Sequence, residues 1–102
     1  MKILITESQF RNILDEYFNR IIKSPEYDFI DRIEVIEGTT KVAGWKNDYE
    51  KPFYEYIVYA KDTDERIGDM YEKIGDIHKI MFPRNDDGTP RAYYTINTEY
   101  VF

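Results

Sequence analysis

Hydrophobic spacing along this chain alternates between helical and strand periods, and each switch marks an element. Ile3, Leu4 and Ile5 form a compact apolar run, after which Phe10, Ile13, Leu14, Tyr17 and Ile21 recur at helical spacing. That stripe predicts a helix over about residues 7–23 with one buried side. Thr6 is placed to cap it by accepting from the Gln9 N–H, with Gln9 reaching back and Ile5 and Phe10 spaced as a hydrophobic staple. Ser24-Pro25 stops the helix. Residues 2–5 then read as a short strand, because a helix starting earlier would waste the cap.

From Asp28 the period becomes two. Phe29, Ile33 and Val35 fall on one side of a strand, and Arg32 and Glu34 on the other. Gly38 marks a turn or bulge, and "TKVAGW" either extends this strand or forms a separate one. "WKNDYEKP" is a polar connection closed by Pro52. "FYEYIVYAK" is rich in aromatic and β-branched residues and predicts a strand. A second helix is expected from near Asp62, with Asp62 and Glu65 at capping-box spacing. Ile67, Met70, Tyr71, Ile74, Ile77, His78 and Met81 trace its apolar stripe, and Pro83 ends it. "RNDDGTP" is turn-rich. In "AYYTINTEYVF", Tyr94, Ile96, Thr98, Tyr100 and Phe102 share one face of a last strand. The expected fold class is α+β, a single domain over residues 1–102 with the ferredoxin-like split β-α-β order βαββαβ. Two helices would cover one face of a mainly antiparallel sheet.

Composition narrows the function. The 102 residues carry 14 Lys plus Arg against 20 Asp plus Glu, a net charge of −6, with the basic residues scattered among acids. Nucleic-acid binding by counterion release needs clustered cations and is disfavoured. With no cysteine, disulfides, thiolate metal sites and cysteine nucleophiles are excluded. No apolar run is long enough to span a membrane, and the N-terminal run is too short for a signal-peptide core. A cytoplasmic protein is expected.

Met1-Lys2, the aliphatic run and Ile5-Thr6-Glu7-Ser8-Gln9 together resemble the start of many small uncharacterised proteins from tailed-bacteriophage genomes. The resemblance covers about a tenth of the chain and implies a viral origin, hence the bacterial host cytoplasm. It implies no activity, substrate or site residue.

The candidate chemistry is sparse. His78, the only histidine, falls on or beside the apolar stripe and reads as a hydrogen-bonded core residue rather than a general base. "NDDG" fails the EF-hand pattern, since Pro83 stands at the first ligand position and Tyr94 at the twelfth. Gly68 and Gly75 lie on nearly the same side of their helix and either admit a close backbone or are tolerated defects. No nucleophile motif, phosphate loop or spaced carboxylate pair is present, so no enzyme activity, cofactor or metal is expected. The 10 tyrosines are the unusual feature. Tyr54 and Tyr56 share one face of their strand, Phe53 and Tyr59 the other, and Tyr93 faces away from Tyr94 and Tyr100. These aromatics support sheet packing alone, a protein interface, or base stacking of the RRM type without its RNP1 pattern.

The expected function is a non-enzymatic protein-interaction module working through the helix-free sheet face, with Tyr54, Tyr56, Tyr93 and Glu99 as surface candidates. Self-association as a homodimer is the simplest partner. The alternatives are an acidic inhibitor of a host nucleic-acid-binding or defence protein, and weak RNA or single-strand binding by tyrosine stacking.

Overall fold

The computed structural model describes the backbone of residues 7–101 and the side chains of residues 11–101. The order is α1 (Glu7–Ile21), a 3-10 turn (Pro25–Tyr27), β1 (Ile30–Val42), β2 (Tyr49–Ala60), α2 (Ile67–Met81) and β3 (Tyr93–Tyr100). The three strands form one sheet in the order β1-β2-β3, with β1 antiparallel and β3 parallel to β2. The protein is therefore α+β, but its described order is αββαβ and its sheet is mixed rather than mainly antiparallel. The reason for the parallel pair is α2, a crossover element of the kind that returns a chain to the same end of a sheet. The expected strand over residues 2–5 and the Thr6–Gln9 cap lie outside the described residues.

Helix α1 ends at Ile21, just before the Ser24-Pro25 pair expected to stop it, and its buried stripe is rotated. Leu14 and Phe18, four residues apart, are fully buried, while Ile13 and Tyr17 are 42% and 41% exposed. Phe18 was not on the expected stripe. Its ring meets that of Tyr56 edge-on at 5.9 Å, which anchors α1 over the sheet. Ile13 and Tyr17 flank this contact and line a shallow apolar groove with Ile77, Ile80 and Met81 of α2.

β1 runs unbroken for 13 residues. Gly38 pairs with Phe53 in regular register, so "TKV" extends the strand, and the only irregularity falls between Ile30 and Arg32. Pro52 sits inside β2, the central strand. It opposes Thr39 of β1, and pairing with β3 begins only at Phe53, so its missing N–H costs no bond on that side.

The second helix begins five residues later than Asp62. The aspartates before it favour turns because their side chains compete for nearby backbone N–H groups. Asp62 accepts from the Thr63 N–H at 2.7 Å, and Asp64 from the Arg66 N–H at 2.9 Å. The same carboxylate takes the Arg66 guanidinium at 2.7 Å. No side chain caps α2 itself, so the Asp62–Glu65 capping box is not formed. Downstream the stripe is as expected: Met70, Ile74 and His78 are buried, and Ile67, Tyr71, Ile77 and Met81 pack against the core. The two helix glycines separate in role. A Cβ on Gly75 would lie 3.0 Å from the Tyr94 hydroxyl oxygen, so this position admits close approach of β3; Gly68 faces open space.

Candidate functional site

Alternation along β2 decides what each tyrosine can do. Tyr54, Tyr56, Val58 and Ala60 point to the helices and are at most 2% exposed. Phe53, Glu55, Ile57 and Tyr59 point the other way and are half-buried. The candidates Tyr54 and Tyr56 therefore do not lie on the helix-free face; they form the core beneath α2. Tyr54 stacks on Phe82 with centroids 4.7 Å apart, and Tyr56 meets Phe18, His78 and Tyr94 edge-on. Tyr93 and Glu99 register with Phe53 and Tyr59 and do lie on the open face. The structure thus separates the four candidates into two pairs on opposite sides of the sheet.

The cause was visible in charge. The set Tyr54, Tyr56, Val58 and Ala60 contains no ionisable carboxylate or cation, whereas Glu55 interrupts the set of Phe53, Ile57 and Tyr59. A carboxylate facing the core would carry a desolvation cost of several kcal/mol. Glu55 therefore sends its own face to water, where its Oε1 accepts from Asn97 Nδ2 at 2.7 Å. Ile57 and Ile36 are the open-face residues that aromatic counting missed, while Phe53 lies opposite Tyr54 and Tyr56 as its spacing predicts.

On that face the register builds rows. Arg32, Tyr59 and Glu99 form one; Glu34, Ile57 and Asn97 the next; then Ile36, Glu55 and Thr95; then Gly38, Phe53 and Tyr93. The first row is polar. The Arg32 guanidinium lies 3.8 Å from the centroid of the Tyr59 ring, and the Tyr59 hydroxyl donates to Glu34 at 2.9 Å. That bond, which needs the phenol proton, raises the Tyr59 pKa. The opposite end is apolar, because Gly38 leaves the flank of Phe53 without a side-chain neighbour on β1 and Ile36 is 39% exposed.

Behind the sheet, His78 is a satisfied core residue. Its Nε2 lies 3.2 Å from the Ala92 carbonyl oxygen, which can only accept, so Nε2 carries the proton. Nδ1 then accepts from the Tyr56 hydroxyl at 2.7 Å. Burial lowers the His78 pKa and raises that of Tyr56, so both are neutral in the fold. Tyr71 and Thr98 bond through their hydroxyls and tie α2 to β3. The "NDDG" segment forms a turn: Gly88 takes a positive φ of 86°, and Asp87 accepts from the Thr89 N–H and hydroxyl at 2.9 and 2.6 Å. Among the described residues, no group of three His, Cys, Asp or Glu side chains converges to hold a metal ion, and no helix is long and apolar enough to cross a membrane.

No protein-family model matches the chain, and no curated protein is significantly similar to it.

Proposed function

We propose that this protein is a non-enzymatic interaction module that self-associates through the helix-free face of its sheet. The observation that carries this reading is the set of apolar residues Ile36, Phe53, Ile57 and Tyr93 arranged around Glu55 on the side opposite both helices, outside a core already complete without it. Aromatic and branched apolar residues in one patch are the composition of interface centres. A second copy is the favoured occupant because the face is nearly balanced, with Arg32 and Lys51 against Glu34, Glu55 and Glu99, in a chain of net charge −6. Two such faces can meet about a two-fold axis without opposing large like charges. The three carboxylates also disfavour phosphate, which sets base stacking on Tyr59 and Tyr93 below a protein partner.

Sedimentation equilibrium tests it. A dimer is expected to populate between about 1 µM and 1 mM chain, and Phe53→Glu is expected to leave a monomer with an unchanged circular dichroism spectrum. A strictly monomeric wild type over that range sinks the reading. The finer fold assignment is narrowed: a strand over residues 2–5 would give the element order βαββαβ, with slow amide exchange at Ile3 and Ile5 as its signature. The direct β2–β3 pairing, however, leaves no gap for the intervening strand of a split β-α-β sheet.

A further inference from the structure

The open face leaves unused a cavity of about 250 Å³ at the other end of α2, where the helix, the segment after it and the start of β3 converge. Its walls are aromatic. Phe82 and Tyr94 flank His78, with ring centroids 4.9 and 4.4 Å from the imidazole, and Pro90, Ala92 and Tyr93 complete the lining. Lys79 and Arg84 supply its two charges, and no carboxylate lines it among the described residues. This is unusual in a chain with 20 acidic and 14 basic residues.

The two cations are also uncommitted to acids. Like every described cation except Arg11, Arg32 and Arg66, Lys79 and Arg84 make no ion pair among the described residues. Arg84 Nη1 donates to the Gly88 carbonyl at 2.8 Å, which orients the guanidinium while leaving its charge unneutralised. The imidazole contributes no charge near neutral pH, because burial disfavours its protonated form. An apolar, aromatic cleft with a few convergent polar groups is the usual form of a small-ligand site. Its volume lies just under the roughly 300–1,000 Å³ of sites for drug-sized ligands, so a single ring system fits and a dinucleotide does not.

We propose that this cavity binds a small aromatic carboxylate, its ring held against Phe82 and Tyr94 and its carboxylate taken by Arg84 and Lys79. Arginine presents paired N–H donors matched to a carboxylate, and partial desolvation at the mouth strengthens the contact. The ring gains offset or edge contacts with walls that are already in place, so little ordering opposes binding. The two charges proposed to bind the ligand are separate from the self-association patch, since neither Lys79 nor Arg84 lies on the open face, whereas Tyr93 borders both.

Benzoate is the probe, with its neutral isostere benzamide and the non-aromatic cyclohexanecarboxylate as controls, titrated into 15N-labelled full-length protein. Benzoate is expected to shift the amides of Lys79, Phe82, Arg84, Tyr93 and Tyr94 in a saturable way below about 10 mM. Benzamide and cyclohexanecarboxylate are each expected to bind about tenfold more weakly, as loss of a charge-assisted bond or of ring stacking implies. Arg84→Gln and Lys79→Gln, both at exposed positions, are expected to weaken benzoate about tenfold while leaving the spectrum folded. Absence of saturable shifts, equal binding of benzamide, or unchanged affinity in both variants overturns the proposal. The two cations would then serve only to offset the C-terminal end of α2.

Discussion

The two faces of β2 are built from the same kinds of residue and do opposite work. On the covered face Tyr54 and Tyr56 are sealed among Phe18, His78, Phe82 and Tyr94, and the Tyr56 hydroxyl is spent on an imidazole nitrogen. On the open face Tyr59 holds an arginine over its ring and donates to Glu34, a residue only half-buried. Tyrosine content therefore carries no functional message by itself. A tyrosine beneath a helix stabilises through burial and a satisfied hydroxyl; one on the bare side keeps both its ring and its hydroxyl within reach of a partner.

The contrast can be broken most severely from the helix side. Phe18→Ala removes a fully buried ring that joins α1 to Tyr56 and is expected to cost about 3–5 kcal/mol in urea denaturation, enough to unfold a marginal domain. A loss under about 1 kcal/mol would mean that α1 does not seat on the sheet as described.

Removing one oxygen from each face sharpens the comparison. Tyr56→Phe leaves His78 Nδ1 buried without its donor and is expected to cost about 1–3 kcal/mol. Tyr59→Phe removes a bond in partial contact with water and is expected to stay within about 0.5 kcal/mol of wild type. Equal effects would show that the two faces are not differently shielded.

Acid separates the faces more gently. His78 has a folded pKa below its ordinary value of 6.5, so the unfolded chain binds more protons as pH falls below that value. Stability is fully present above about pH 6.5 and declines below it, as protonation removes the acceptor of the Tyr56 hydroxyl. In His78→Gln this decline between neutral pH and pH 5 is expected to flatten; an unchanged slope assigns the acid sensitivity to other groups.

Much of the architecture is read locally. The 3.6-residue stripe from Ile67 to Met81, the Pro83 stop and the β-rich run from Phe53 to Ala60 all follow from the spacing of apolar side chains. So does the sidedness of Ile33 and Val35 against Arg32 and Glu34, because burying a charge costs far more than exposing an isoleucine. His78 reads correctly as core for the same reason: its stripe position places it against buried neighbours.

The candidate surface was only half recoverable from spacing. Period two states that Tyr54 and Tyr56 agree with each other and oppose Phe53 and Tyr59, but both sets are aromatic, and periodicity alone is symmetric between faces. Glu55 breaks that symmetry, yet its force depends on which side the helices take. Phe18 behaves alike: several adjacent registers of α1 are apolar enough to be buried, and the Tyr56 ring selects one.

Local sequence thus set the kind and approximate extent of each described element, since helix and strand periods are properties of neighbouring residues. Tertiary pairing set the rest. It carried β1 through Gly38, because Phe53 opposes that position in continuous register. It also laid β3 parallel beside β2, whereas the late start of α2 at Ile67 is a local effect of the Asp62 and Asp64 turns. The tertiary outcomes depend on contacts between residues distant in sequence, which the period of a single strand or helix does not contain.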